Sequence, residues 1–285
     1  MDREEEQVSG RTSDGSRHGR RASDRQSDVV RVAAVGDFHC GVDDGGTYRA
    51  AFAGVNDKAD VLLLAGDLTR WGTPQEMRIA LGELADVRIP MVAVLGNHDL
   101  ESGNEDELCG LLREHGVHHL DGEAYVLNEN VGIAGVKGFM GGFGRGTLTA
   151  FGEQEIKTFV EASLKEVQKL ELAMRGLSTP VKIALMHYAP VVDTVIGEPE
   201  QIFPYLGTDR LAEPLDRYRA SVAFHGHAHG GSFSGATTGG VPVFNVSHSL
   251  LQREGIAEMY YVHEIEIEPE IRAEREEAQS AGSLR

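Results

Sequence analysis

"VVRVAAVGDFH" (Val29–His39) decides the reading of the fold. Valines and alanines run with a single polar interruption, Arg31, and stop at Gly36; Asp37 and His39 follow. A short apolar run that ends in glycine reads as a buried strand, with the polar residues placed just past its carboxyl end. The pattern returns in "DVLLLAGD" (Asp60–Asp67) and again in "PMVAVLGNHD" (Pro90–Asp99). Between these strands lie helix-forming segments, at about 47–57 and 74–85, the second with Pro74 in its first turn. Strand and helix in alternation predict an α/β domain whose sheet is largely parallel in this half.

Further along, "NVGIAGVKG" (Asn130–Gly138) reads as a strand, and Phe151–Gly176 as a long amphipathic helix that stops at glycine. The strands "VKIALMHY", "SVAFHGH", "VPVFNVS" and "EMYYVHEIEIE" follow. The last alternates at period two, the pattern of a half-exposed edge strand. No linker or internal repeat divides the chain, so residues 29–270 are expected to form one domain. The segments 1–28 and 271–285 read as charged tails, and 1–28 has too few large apolar residues to offset the entropy of ordering.

Composition narrows the class. The chain has 285 residues, enough for a substantial core, and a formal net charge of −18. Such a chain lacks the basic surface of a general nucleic-acid or anionic-membrane binder. The two cysteines, Cys40 and Cys109, exclude a disulfide scaffold and a cysteine zinc site. With no membrane-spanning run and no apolar leader, a soluble, cytoplasmic protein is expected.

The polar residues gather where strands end, which is where open α/β sheets build sites. Asp37 and His39 follow the first strand, Asp67 the second, and Asn97, His98 and Asp99 the third. His187 ends "KIALMH", and His227 and His229 lie in "GHAH". Each fragment alone is weak: a glycine–aspartate after a strand is common, and a lone histidine is usually a packed one. "GNHD" is more specific, and five such strand ends in one chain are hard to explain by packing.

In this order (D-x-H, G-D, G-N-H-D, H, G-H-x-H) the chain resembles the calcineurin-like metallophosphoesterases over about residues 30–246, with every motif position filled. The resemblance implies a four-layered α/β sandwich, two mixed β-sheets packed together and flanked by helices. It implies two divalent metal ions. Asp37, His39 and His229 would hold one, and Asn97, His187 and His227 the other, with Asp67 bridging. A mixed set of carboxylate, amide and imidazole donors suits Mn, Fe or Zn rather than calcium or a thiolate metal. Two dications against two carboxylates leave the site positive inside an acidic protein, which suits a small phosphoester substrate. The implied activity is hydrolysis by a metal-activated hydroxide attacking phosphorus. His98 would be the general acid for the leaving oxygen, and Asp99 would orient imidazole or backbone. The compact length is similar to the branch that cleaves small or cyclic-nucleotide-like phosphodiesters. A phosphomonoesterase or protein phosphatase of the same fold is the alternative. A metal-free, non-catalytic scaffold would show eroded ligands, and none is eroded.

Other residues receive plainer expectations. His225 and His248 are expected to pack, "HGVHHL" (His115–Leu120) to form a surface loop entering a strand, and Cys40 to point away from the site. "NVS" at Asn245 matches a glycosylation acceptor that a cytoplasmic protein would not use. Arg145, in the glycine-rich 137–147 stretch, is a candidate substrate contact. Tyr188–Gly207, long for a connection and directly after His187, is a candidate lid.

Overall fold

The computed structural model describes residues 29–267. The two charged tails and the last three residues of the expected domain lie outside them. Strand β1 (Val29–Val35) is followed by the short helix α1 (Arg49–Ala53), which continues as a 3-10 turn to Asp57. Then come β2 (Val61–Ala65), α2 (Pro74–Glu83), β3 (Met91–Val94), α3 (Glu105–Glu114) and β4 (Val117–His119). Helix α2 starts where the sequence says it should. Thr73 and Glu76 form a reciprocal capping box, and Pro74 occupies the first turn.

The second half opens with β5 (Glu123–Val126) and β6 (Val131–Val136), crosses over through the long α4 (Gln154–Gly176) and returns as β7 (Val181–Met186). Short helices α5 (Phe203–Leu206) and α6 (Ala212–Arg217) precede β8 (Val222–His225). The chain continues through β9 (Ser234–Ala236), β10 (Pro242–Asn245), α7 (His248–Arg253) and β11 (Tyr261–Glu266).

These strands make two mixed sheets. The first has the order β11-β1-β2-β3-β4, parallel except for β11, and the second β5-β6-β7-β8-β10-β9, with β5 and β9 antiparallel to their neighbours. Alternation along the second sheet shows how the layers form. Ile133, Ile183, Leu185, Val222 and Phe224 join the core shared with Leu62, Leu64, Val92 and Val94 of the first sheet. Their neighbours Ala134, Ala184, Met186 and Ala223 face the other way, onto Leu170 and Met174 of α4 and Leu215 of α6. Helices α1 to α3 cover the first sheet's outer face with Phe52, Met77, Leu81, Leu108 and Leu112. The result is the four-layered α/β sandwich, with β11 as an edge strand.

One expectation needs correction. "HGVHHL" contains a strand itself: Val117–His119 pairs with β3 as the sheet's edge. It is three residues long and only Val117 is buried, too little pattern to read locally. Strand β5 is likewise mostly exposed, held by pairing with β6 rather than by apolar alternation. Among the described residues, no helix is long and apolar enough to cross a membrane.

Candidate metal centre

The loops after β1, β2, β3, β7 and β8 meet at one edge of the sandwich. They are zipped to one another by backbone. Asp37 N–H donates to Gly66 O (2.9 Å), His39 N–H to Asp67 O (3.1 Å) and Gly226 N–H to His187 O (3.1 Å). The non-glycine residues with positive φ among those described are Asp37, His39, Asp67, His227 and Arg219. Four of the five are candidate ligands. Left-handed backbone at a side chain other than glycine is unfavourable and collects where a site dictates direction. Two glycines give the carboxylates room. A Cβ at Gly96 would collide with the Asp67 carboxylate, and one at Gly226 with that of Asp37.

Around Asp37, the His229 Nε2 lies 3.1 Å from Oδ1, and the His227 N–H donates to both carboxylate oxygens at 3.0 and 2.9 Å. His39 Nε2 is 3.4 Å from His229 Nε2. Asp67 stands between the two histidine groups, its Oδ2 3.9 Å from His39 Nε2 and 3.5 Å from His187 Nε2. His187 Nε2 is 2.9 Å from Asn97 Oδ1. Ligand atoms of Asp37, His39 and His229 lie within 4.8 Å of one another, and so do those of Asp67, His187 and His227. His98 falls in the same reach, with His39 and Asp67.

Hydrogen bonds fix which ring nitrogens carry lone pairs. His187 Nδ1 lies 2.9 Å from Ala65 O and His227 Nε2 lies 3.1 Å from Tyr205 O. A carbonyl only accepts, so these nitrogens donate, and the other nitrogen of each neutral ring is a free lone pair. For His187, that lone pair faces the oxygens of Asn97 and Asp67. Burial pulls the His39 imidazole down to about 4 and the His227 imidazole down to about 3, so both stay neutral near pH 7. Burial also pushes the Asp67 carboxyl up to about 8, with the carboxylates of Asp37 and Asp99 adding to the effect. Asp37 goes the other way. Burial again opposes its charge, but the His229 hydrogen bond and the surrounding imidazoles outweigh it and hold the carboxyl below its ordinary value. Buried carboxylates that repel one another and lone pairs aimed at one point are what a bound cation resolves, so the donor set fits metal ions.

The remaining candidates fall on either side of this cluster. Asp99 is wholly buried. It accepts from the N–H groups of Leu68 (3.3 Å), Thr69 (2.9 Å) and Gly96 (2.9 Å), and from the Thr69 hydroxyl (2.6 Å). It therefore orients backbone, tying the loop that carries Asp67 to the loop that carries Asn97. His98 donates its backbone N–H to Asp67 Oδ1 (2.8 Å), and its Nδ1 is held by Arg70 O (2.8 Å). Arg145 stands apart on the exposed 3-10 turn Gly144–Gly146, which Asp209 anchors through Gly144 N–H (2.7 Å).

His225 packs as expected, buried, with Nε2 2.8 Å from the Thr194 hydroxyl. The 188–207 stretch is a wall rather than a free loop. Thr194 O accepts from Ser232 N–H (3.1 Å), Ile196 O accepts from the Ser232 hydroxyl (2.8 Å), and the Glu198 carboxylate accepts from Gly230 N–H.

Sequence reasoning missed two supports of the His227–His229 turn. Asn245 is fully buried, and its side-chain amide donates to Ala228 O (2.7 Å). Its burial removes it as a glycosylation acceptor and makes it a brace. Arg253, from α7, donates to His229 O (3.0 Å) and Gly231 O (2.8 Å). Neither belongs to a motif; their partners come from loops that only the fold brings near.

No curated protein matches the sequence. Among solved structures, phosphopantetheinyl hydrolase from Mycobacterium tuberculosis is similar at a TM-score of 0.59 and 15% identity, covering 84% of this chain and 96% of that one. The protein TT1561 of Thermus thermophilus is similar at a TM-score of 0.48 and 16% identity, covering 84% of this chain and 100% of that one. At 15% identity the likeness to the hydrolase concerns the fold alone. The family model described as calcineurin-like phosphoesterase matches residues 30–231, a span that contains every residue of the cluster. By its motifs, its fold and this match, the chain belongs to the calcineurin-like phosphoesterase family.

Proposed function

We propose that this chain is a dinuclear-metal phosphoester hydrolase that acts on a small phosphodiester. The observation that carries the reading is the gathering of seven donor side chains, the buried Asp67 among them, from five strand ends of two sheets. Asp37, His39 and His229 would hold one cation, Asn97, His187 and His227 the other, and Asp67 would serve both. Such cations, when bound, acidify a water molecule and offset charge on the phosphoryl oxygens.

The protein's own groups supply the rest. Asp99 keeps the Asp67 and Asn97 loops in register through the backbone. In its imidazolium form, with Nδ1–H donating to Arg70 O, His98 would present Nε2–H to the leaving oxygen as proton donor. Arg145, exposed beside the wall formed by 188–207, is the proposed contact for the distal part of the substrate.

Charge favours the diester. Two dications against two ionised carboxylates leave two positive charges, which a hydroxide and a monoanionic diester balance. A dianionic monoester would leave excess negative charge that a nearby cation must meet. The arginines beside the centre are otherwise engaged, Arg70 with Asp44 (2.8 Å) and Arg253 with backbone carbonyls.

The test is metal analysis of the purified protein, followed by rates on bis-p-nitrophenyl phosphate, p-nitrophenyl phosphate and cyclic nucleotides with Mn²⁺, Fe²⁺ or Zn²⁺. Faster hydrolysis of the diesters is expected. A metal-loaded protein inert toward all of them would end the hydrolase reading. Preference for the monoester would end the diester one.

A further inference from the structure

The ligand scheme leaves one neighbour of the centre unused. Trp71 is the only tryptophan of the chain, and it is 55% exposed. A large aromatic ring left half in water beside a polar cluster forgoes the burial such side chains usually obtain. Its position is not loose. Trp71 N–H donates to Glu76 Oε2 (2.9 Å), and Glu76 is itself buried at the start of α2. Trp71 O accepts from the Ser102 hydroxyl (2.6 Å). The next residue, Gly72, has φ of 69° and presses so closely on the backbone of Asp99 that a Cβ there would collide with it. Gly72 N–H donates to the Thr69 hydroxyl (3.1 Å), which in turn donates to Asp99. The segment from Thr69 to Gly72 is thus fastened to the turn that carries Asn97 and His98, and the indole is the part left outside.

The rings form a ladder out of the centre. His39 and His229 have centroids 5.2 Å apart, His39 and His98 4.5 Å, and His98 and Trp71 6.3 Å. The ladder runs along the side where His98 would meet the leaving group.

We infer that Trp71 is a stacking platform for a planar aromatic part of the substrate, a nucleobase or aryl group on the leaving side. The inference rests on the hydrolase reading for its direction and on the fixed, exposed indole for its substance. Stacking of a base on an aromatic side chain corresponds to about 5- to 100-fold in affinity. Apolar contact to a flat ring would therefore select aromatic over aliphatic esters without a further charge.

Because Trp71 is the only tryptophan, the intrinsic fluorescence of the Mn²⁺-loaded protein reports on it directly. Titration with adenosine 5′-monophosphate is expected to quench the emission saturably, and ribose 5-phosphate, with the same phosphate and no base, is expected not to. By calorimetry, Trp71→Ala should weaken adenosine 5′-monophosphate about 5- to 100-fold and leave ribose 5-phosphate unchanged, while Trp71→Phe retains most of the preference. Equal affinity of the two ligands for the parent protein, or an unchanged preference in Trp71→Ala, overturns the platform. A parent protein that is quenched by the base but does not hydrolyse bis-p-nitrophenyl phosphate keeps the platform and loses the hydrolase reading.

Discussion

Replacing Asp67 by asparagine should stabilise the metal-free protein and forfeit most of the stability that metal adds. Asp67 is 1% exposed, and burial pushes its carboxyl from 3.8 up to about 8. The folded state therefore keeps a proton that the unfolded chain gives up between about pH 4 and pH 8. The contribution of this group to stability is complete below pH 4 and declines as pH rises towards 8. At pH 7 the loss spans about three pH units at about 1.4 kcal/mol each, so at most about 4 kcal/mol. Asparagine has the same outline and can still accept from His98 N–H, a bond of 2.8 Å in the parent. It has no proton to lose.

In EDTA at pH 7, Asp67→Asn is expected to be more stable than the parent by up to about 4 kcal/mol, and to match it at pH 4. Excess Mn²⁺ should erase that advantage. A ligand at a hundred times its Kd adds about 2.7 kcal/mol per site, so two sites add about 5 kcal/mol to the parent. The variant, without the shared carboxylate, should gain less than about 1 kcal/mol by the same linkage. Urea unfolding in EDTA and in Mn²⁺, at pH 4, 7 and 8, measures all of these. A variant less stable than the parent in EDTA at pH 7, or one that gains as much from Mn²⁺, would refute the reasoning.

Further outcomes are expected. Asp99→Ala leaves three backbone N–H groups without acceptors at about 1–3 kcal/mol each, a loss of roughly 3–9 kcal/mol in urea unfolding; a loss below about 1 kcal/mol contradicts its bracing role. His98→Ala should keep full metal content and lose about 100-fold or more in kcat on bis-p-nitrophenyl phosphate, and parental rates would remove it from proton transfer. Arg145→Ala should raise KM severalfold with kcat unchanged on the true substrate; if neither constant moves, the residue has no part in binding. Apparent Mn²⁺ affinity should rise about tenfold or more per pH unit up to about pH 8 as Asp67 releases its proton and His229, raised by its hydrogen bond to Asp37, releases another, while His39 and His227, already neutral above pH 5, add no slope there. Calorimetry in buffers of different ionisation heat detects those protons, and a pH-independent affinity between 6 and 8 would contradict the raised Asp67 value.

Legibility followed locality. The strands of the sandwich interior announced themselves because residues such as Leu62–Leu64 are buried on both faces and leave an unbroken apolar run. The β4 and β5 edges did not, since their strand character comes from a neighbour's hydrogen bonds. Asp99 was legible as a polar residue in a tight turn, but its partners, Leu68, Thr69 and Gly96, lie on two loops. Asn245 matched a glycosylation motif in sequence, which said nothing of its role, and is a buried brace in the fold.

The sequence by itself determined the order of the interior strands and of the α2 and α4 helices, the chemical types of the donor set and their places at strand ends. These depend on periodicity and on glycine-terminated apolar runs within a few residues. Only the tertiary structure decided that Asp37 and His229, so far apart in the chain, share a hydrogen bond, that Asp67 stands between the two histidine groups, and that Trp71 stays in water beside His98. Those facts depend on the packing of two sheets, which brings distant loops to one edge and excludes water from some of their side chains but not from others.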